Sequence, residues 1–299
     1  MNIKELTSKF NFLSWEHRKK SQPKTIEFIN EYSNQSDLRL ACTQLSISTS
    51  EQKKLIKDWS LFLSNNNNIT SLFFYSKVSQ DLLNSATKMD KLDSLFIKWS
   101  GKEITDYEVL KNLPNLKRLY IGAGTTLKNL TSLKYLNQLE WLEIHEQKNM
   151  ISLSGIETLS SLKGLIISGG IYGKQKIDDL IPLSNLHKLE YLGISSTFAL
   201  SKNLSPICSL QNLTYLDLPI YYEMNEYAKI VNCLPNCNHG IKAYRETDIK
   251  CDKCKTGNKV YPMNKGSRQI CTHCDKDKLE ALNSKFEIMV KQLKASTIL

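Results

Sequence analysis

Leucine and isoleucine recur through the middle of this chain as one short phrase, Leu-x-x-Leu-x-Ile. It ends in Leu95 and Ile97, Leu119 and Ile121, Leu142 and Ile144, Leu165 and Ile167, Leu192 and Ile194, and Leu216 and Leu218, with a weaker copy in Leu72 and Phe74. The leading leucines are separated by 23, 24, 23, 23, 27 and 24 residues. A fixed period of this size predicts a stacked-repeat architecture in which no single repeat buries its own apolar face. Within each phrase alternate residues point to opposite faces, so the Leu and Ile positions predict a short inward-facing strand. A second apolar set predicts the return path: Ile104, Leu110 and Leu113; Leu153, Ile156 and Leu159; Leu180, Leu183 and Leu186; Leu204, Ile207 and Leu210.

The flanks follow other rules. In residues 1–44, Leu6, Phe10 and Leu13, then Ile26 and Ile29, have helical spacing broken at Ser21-Gln22-Pro23, which predicts a helical N-terminal cap. Gln44-Leu45-Ser46-Ile47 is the candidate first strand. Thr49-x-x-Gln52 has the form of a capping box and starts a helix whose apolar face is Leu55, Trp59 and Phe62. At the other end Leu279, Leu282, Phe286, Met289, Val290 and Leu293 share one helical face, with docking as the default and a cap on the stack or a dimer contact as alternatives. The expected organisation is a cap over 1–44, a solenoid over 45–240 and a small module with an amphipathic helix over 241–299.

Leu153-Ser-Gly-Ile-Glu-Thr-Leu-Ser-Ser-Leu162 and Leu204-Ser-Pro-Ile-Cys-Ser-Leu-Gln-Asn-Leu-Thr-Tyr-Leu216 resemble leucine-rich repeats of the short, internalin-like bacterial type. The resemblance covers about half the chain. It implies an α/β repeat solenoid, a curved parallel β-stack that binds protein through its concave face. The family's Asn after the strand is replaced here by Ser100, Gly124, Gln147, Gly170, Thr197 and Tyr221, so the usual amide ladder is absent.

With the leucines inward, three outward columns are expected. The first is Ser71, Ser94, Arg118, Trp141, Gly164, Tyr191 and Tyr215; the middle is Phe73, Phe96, Tyr120, Glu143, Ile166, Gly193 and Asp217; the third is Tyr75, Lys98, Gly122, His145, Ser168, Ser195 and Pro219. Aromatic and Arg side chains carry most interface energy, although aromatics also suit strands for packing alone. The candidate partner-binding residues are Phe73, Tyr75, Phe96, Lys98, Arg118, Tyr120, Trp141, Glu143, His145, Tyr191, Tyr215 and Asp217, with Tyr120, Trp141 and Arg118 as anchors. Acids on the same face favour protein over nucleic acid as ligand.

Cys251-x-x-Cys254 and Cys271-x-x-Cys274 are separated by 16 residues. Two such knuckles complete a tetrahedron of thiolates, and the segment resembles a zinc ribbon holding one structural Zn, with redox dithiols or disulfides as alternatives. Asn264-Lys-Gly-Ser267 is its expected hairpin turn. Cys233, Cys237 and His239 could be further ligands, but Leu234-Pro-Asn-Cys237 resembles the sequence that closes the last repeat of bacterial leucine-rich proteins. Cys42 and Cys208 read as isolated buried thiols.

The chain carries a net charge of +10. The last 59 residues hold 13 Lys and Arg against 7 Asp and Glu, a surplus of +6, so a nucleic-acid-associated adaptor is the rival reading. A toxin-neutralising or effector-type role rests on family analogy alone. Ser168-Gly-Gly-Ile-Tyr-Gly-Lys-Gln175 lacks the first Gly and the Ser/Thr of a phosphate loop, and no nucleophile elbow or His-Glu-x-x-His pair occurs. The expectation is a non-enzyme. No apolar stretch suits a signal or a membrane span, so a cytoplasmic protein is expected.

Overall fold

The computed structural model describes residues 23–170 and 173–296. Nine strands form one sheet: β1 (Thr25–Ile26), β2 (Asp37–Leu40), β3 (Ser71–Lys77), β4 (Ser94–Trp99), β5 (Arg118–Ile121), β6 (Trp141–His145), β7 (Gly164–Ser168), β9 (Tyr191–Ser195) and β11 (Tyr215–Asp217), hydrogen-bonded in that order. Every pairing is parallel, and the register keeps Leu72, Leu95, Leu119, Leu142, Leu165, Leu192 and Leu216 in one row. These leucines are all buried, as is the return-path set. The return segments turn through short 3-10 helices, for example Glu108–Asn112, Ile181–Asn185 and Ser205–Ser209, each placing one buried apolar residue against its neighbours. Pro182 and Pro206 sit in the first turn of two of them, where a missing N–H costs nothing. The fold is a leucine-rich-repeat solenoid.

The N-terminal reading needs correction. Leu6, Phe10 and Leu13 lie outside the described residues, but 23–44 belong to the sheet. Ile26 is on β1, paired with Leu40, and Ile29 starts a three-residue 3-10 turn. The strand expected at Gln44–Ile47 is instead Asp37–Leu40, where Leu38 pairs with Leu72 and Leu40 with Phe74. The period hid it, because helix α1 (Thr49–Ser64) stretches this repeat to 34 residues between Leu38 and Leu72. The capping box lies one residue earlier than expected. Ser48 accepts the Glu51 N–H at 3.2 Å and Glu51 Oε2 accepts the Ser48 N–H at 2.9 Å. Trp59 and Leu63 are buried beneath α1, and the Trp59 indole donates to Glu27 O at 2.8 Å. The other short helix of this half is α2 (Gln80–Ala86).

The missing Asn ladder is replaced piecemeal. Ser100 Oγ donates to Gly122 O at 2.8 Å, Gln147 Nε2 to the same carbonyl at 2.9 Å, and Thr197 Oγ1 to Ser195 O at 3.1 Å. Gly124 lies between Ser100 and Gln147, and a Cβ there would collide with both side chains. The long 165-to-192 step contains β8 (Gln175–Ile177), which pairs with β10 (Thr197–Ala199) in a separate two-stranded sheet. Gln175 is buried on β8 with its amide donating to Met150 O at 3.3 Å, so the position where a phosphate loop would carry Ser or Thr packs within the repeat.

The far end is closed by α3 (Met224–Cys233), followed by β12 (Tyr244–Lys250), β13 (Asn258–Pro262), β14 (Ile270–Cys271) and α4 (Lys276–Ser296). The three strands form an antiparallel sheet, with Val260 opposite Ile270 across the expected hairpin. Helix α4 docks along α3: Phe286 is buried in the main core, Leu282, Met289, Val290 and Leu293 pack on it, and Asn232 Nδ2 donates to Val290 O at 2.9 Å. Ala243 and Met263 enter the same core, so residues 241–296 seal the stack.

Cys208 is joined to Cys233 by a disulfide, which corrects the reading of Cys208 as an isolated thiol and removes Cys233 as a ligand. His239 Nδ1 accepts the Ile241 N–H at 3.0 Å, and Cys237 is buried, its thiol pushed up to about 11 by burial. Cys42 is the buried thiol expected, pushed up to about 12 by burial. The disulfide ties the last repeat to α3 across a separation of 25 residues. Reduction should therefore cost about 3 kcal/mol, lowering the melting temperature by several degrees. Calorimetry with and without reductant checks this, with Cys208→Ser insensitive to the reductant.

Candidate functional site

The strand register builds the concave face as the sequence expects: Ser71, Ser94, Arg118, Trp141, Gly164, Tyr191 and Tyr215 form one row and Phe73, Phe96, Tyr120, Glu143, Ile166, Gly193 and Asp217 the next. Adjacent rings meet. Phe73, Phe96, Tyr120 and His145 make one file, with centroids 6.0, 4.3 and 4.7 Å apart, and Trp141, Tyr191 and Tyr215 a second, at 5.3 and 4.7 Å. Strands about 4.8 Å apart bring the same-row pairs Phe96–Tyr120 and Tyr191–Tyr215 to stacking distance, whereas Trp141 reaches Tyr191 across Gly164 and His145 meets Tyr120 from the neighbouring row.

Accessibility is less uniform than the columns suggest. Trp141 is 1% exposed, Phe96 3%, Phe73 6% and Tyr120 9%. The Trp141 indole lies across Gly164 of the next strand, where any Cβ would collide with it. Its Nε1–H donates to Glu143 Oε1 at 2.8 Å, and Glu143 Oε2 meets His145 Nε2 at 3.0 Å. Glu143 is 4% exposed, so these two contacts hold a carboxylate inside the face. Tyr191, Tyr215, Tyr75, Lys98, Arg118, His145 and Asp217 are half-buried. Burial raises the Tyr191 phenol, with Tyr215, Asp217 and Glu143 adding to it, and burial then Asp217 raises Tyr215. Both phenols are neutral donors at physiological pH. Arg118 reaches Asp93 at 3.0 Å.

Two residues of this surface escaped the sequence reading. Arg39, on the unrecognised β2, stacks its guanidinium 3.6 Å from the Tyr75 ring centroid, while Lys98 Nζ lies 3.9 Å from the same ring. The alternating Asp-Leu-Arg-Leu pattern was the available signal. Arg245, from β12, pairs with Asp217 at 3.1 Å and donates to Leu218 O at 2.7 Å, a contact no local pattern encodes.

The second site is sulfur. The Sγ atoms of Cys251, Cys254, Cys271 and Cys274 all lie within 4.8 Å of one another, Cys254 and Cys271 at 3.6 Å. A tetrahedron with metal–sulfur bonds of about 2.3 Å has edges of about 3.8 Å, so the donor set fits one thiophilic ion. Backbone N–H groups aim at the sulfurs: Gly257 at Cys254, and His273 and Cys274 at Cys271, all at 3.4 Å. Cys251 is lowered by the N–H groups of Cys254 and Lys253. Cys254 is lowered to about 5, by the Thr256 hydroxyl first and the Gly257 N–H next, while Cys274 is raised to about 12 chiefly by the Cys254 sulfur. The knuckle turns leave no room for a larger residue at Gly257, whose Cβ would meet Cys271 Sγ at 2.6 Å. His273 is exposed and contributes its backbone N–H.

No protein-family model matches the chain, and no curated protein does. Solved structures do. Internalin C2 of Listeria monocytogenes is 22% identical over 60% of this chain and 71% of its own, with a TM-score of 0.42. A leucine-rich-repeat protein of Leptospira interrogans is 18% identical over 57% of this chain and 46% of its own, also at 0.42. A plant peptide hormone receptor solved in complex with its peptide is 16% identical over 52% of this chain and 25% of its own, at 0.38. The repeat architecture stands on this chain's own strand register. Among the described residues no helix is long and apolar enough to cross a membrane.

Proposed function

We propose that the protein is a non-catalytic recognition protein that holds a protein partner on its concave sheet, with a structural zinc ion in the four-Cys module. The observation that carries this reading is the pair of aromatic files with built-in charge, Arg39 and Lys98 around Tyr75 at one end and Asp217 and Arg245 beside Tyr215 at the other. Rings locked by stacking lose little entropy on binding, which is what a pre-organised interface needs. The burial of Trp141 and Tyr120 shifts the contact role toward Tyr75, Lys98, Tyr191 and Tyr215, with Arg118 paired to Asp93 and Trp141 positioning Glu143 and Tyr191. Four thiolates leave no open position on zinc, so the metal would organise the module without doing chemistry.

The test is capture of protein partners from native lysate, with nuclease present, by wild type and by Tyr191→Ala/Tyr215→Ala. Both tyrosines are half-buried, so the variant should keep its fold while the captured band weakens about tenfold or more. Undiminished capture by the folded variant refutes the concave-face assignment. Capture that collapses on nuclease treatment and falls steeply with salt would instead support the nucleic-acid adaptor.

A further inference from the structure

Beside the concave face, four lysines gather around two rings. Lys176 on β8 is the register partner of Phe198 on β10, and the Tyr221 ring meets Phe198 edge-on at 5.6 Å. Lys202 Nζ lies 3.9 Å from the Phe198 centroid and Lys174 Nζ 4.3 Å from that of Tyr221. Lys265, in the hairpin between β13 and β14, is brought in by its N–H, which donates to Tyr222 O at 2.8 Å. The ammonium of Lys202 is held below its ordinary value, by burial first and then by Lys265 and Lys176. Among the described residues, no ion pair includes any of these four lysines, although lysines elsewhere pair with carboxylates, as Lys77 does with Glu103 and Lys163 with Glu140. Solvated lysines repel and swing apart. Here cation–π contacts and the docked hairpin keep like charges near one another with no ion-pair partner among the described residues.

A cleft of about 470 Å³ opens next to this cluster, between the last strand and the module. Ile220, Tyr221 and Tyr261 line it with Asn264 and Ser267, and the Asp217–Arg245 pair belongs to the same lining. A cleft with aromatic and aliphatic lining beside a cluster of ammonium groups is complementary to a chain segment that carries an apolar side chain flanked by carboxylates. We propose that this corner binds an acidic segment of a protein partner, with one apolar or aromatic side chain in the cleft and neighbouring Asp or Glu carboxylates on Lys176, Lys202 and Lys265.

Protein is favoured over nucleic acid on two grounds. The Phe198 and Tyr221 ring faces already carry ammonium groups, so they offer no free platform for base stacking. The cluster is a compact corner, not a track that follows a backbone. The site shares Asp217 and Arg245 with the end of the concave sheet but uses none of its stacked rings, so it stands whether or not the aromatic files hold a partner.

The probe is a fluorescein-labelled peptide with Leu-Phe at its centre and three Glu on each side, followed by anisotropy at about 50 mM salt. One variant combines Lys176→Gln, Lys202→Asn and Lys265→Gln; Asn suits the left-handed backbone of Lys202, φ 57°. A control combines Lys285→Gln, Lys291→Gln and Lys294→Gln, removing the same charge from α4. With three ammonium groups removed from the corner, peptide affinity should fall about tenfold or more in the first variant and less than about twofold in the control. Melting curves establish that both are folded. The assignment is overturned if wild type does not bind the peptide, if the first variant binds it undiminished, or if both variants lose affinity equally. It is likewise overturned if a poly-dT oligonucleotide binds more tightly than the peptide and loses its affinity in the same variant. Tyr191→Ala/Tyr215→Ala should bind the peptide normally, which separates this corner from the concave face.

Discussion

Cys271→Ser should take the zinc content from about one ion per chain to about none, and with it the order of β12–β14. The Cys271 sulfur receives two backbone N–H groups and lies 3.6 Å from that of Cys254. Serine cannot replace a thiolate toward zinc, and a three-thiolate remnant binds far less tightly. The sheet has little else to hold it: its buried residues are Val260, Pro262 and Cys271 itself, and β12 is exposed over most of its length. The effect should reach the stack, because Met263 and Ala243 share the main core and Lys265 is tied to Tyr222. Metal analysis and hydrogen exchange read the two parts separately. Amides of 244–271 should lose protection in the variant or with chelator, while β4–β7 should keep theirs. A full equivalent of zinc retained by Cys271→Ser would remove the four-Cys assignment.

Trp141→Ala should destabilise the protein by about 3–5 kcal/mol, the range for deleting a buried aromatic ring. A chain with an outward-pointing tryptophan would lose binding alone. This indole lies across Gly164, touches Tyr191 and donates to a buried carboxylate, so its removal leaves a void and strips Glu143 of a donor. Trp141→Phe separates the two effects. It keeps most of the ring and loses only the Nε1–H, at a cost of about 1–3 kcal/mol for a buried charged acceptor left short of a partner. Urea titration of both variants decides the matter. If Trp141→Ala unfolds within about 1 kcal/mol of wild type, the indole is a surface side chain and regains its place as an interface anchor.

Period and residue type were enough to read the stack, its inward rows and the sulfur site. A leucine that recurs every 23 or 24 residues has only one way to be buried repeatedly, and Cys-x-x-Cys pairs bring their ligands together within a single turn. β2 was not legible, because α1 lengthens its repeat and leaves Leu38-Arg-Leu40 out of phase. The Ser48 cap was displaced by one residue because Ser48 and Thr49 both offer a hydroxyl, and Glu51 decides between them only once the helix has formed.

What the chain determined by itself is therefore the set of contacts that repeat along it: the sheet, its register, the order of side chains on its concave face and the chemistry of the four cysteines. What only the tertiary structure decided is how non-repeating parts meet. The Cys208–Cys233 bond joins a repeat to the closing helix, Arg245 crosses from the module to Asp217, and Lys265 completes a cluster begun on β8. Burial of the concave rings belongs to the same class, since alternation says which way Trp141 points but not that Gly164 lets it lie down. Periodicity encodes neighbours one repeat away. Contacts between unlike elements have no period, and they are set by which surfaces remain once the stack has closed.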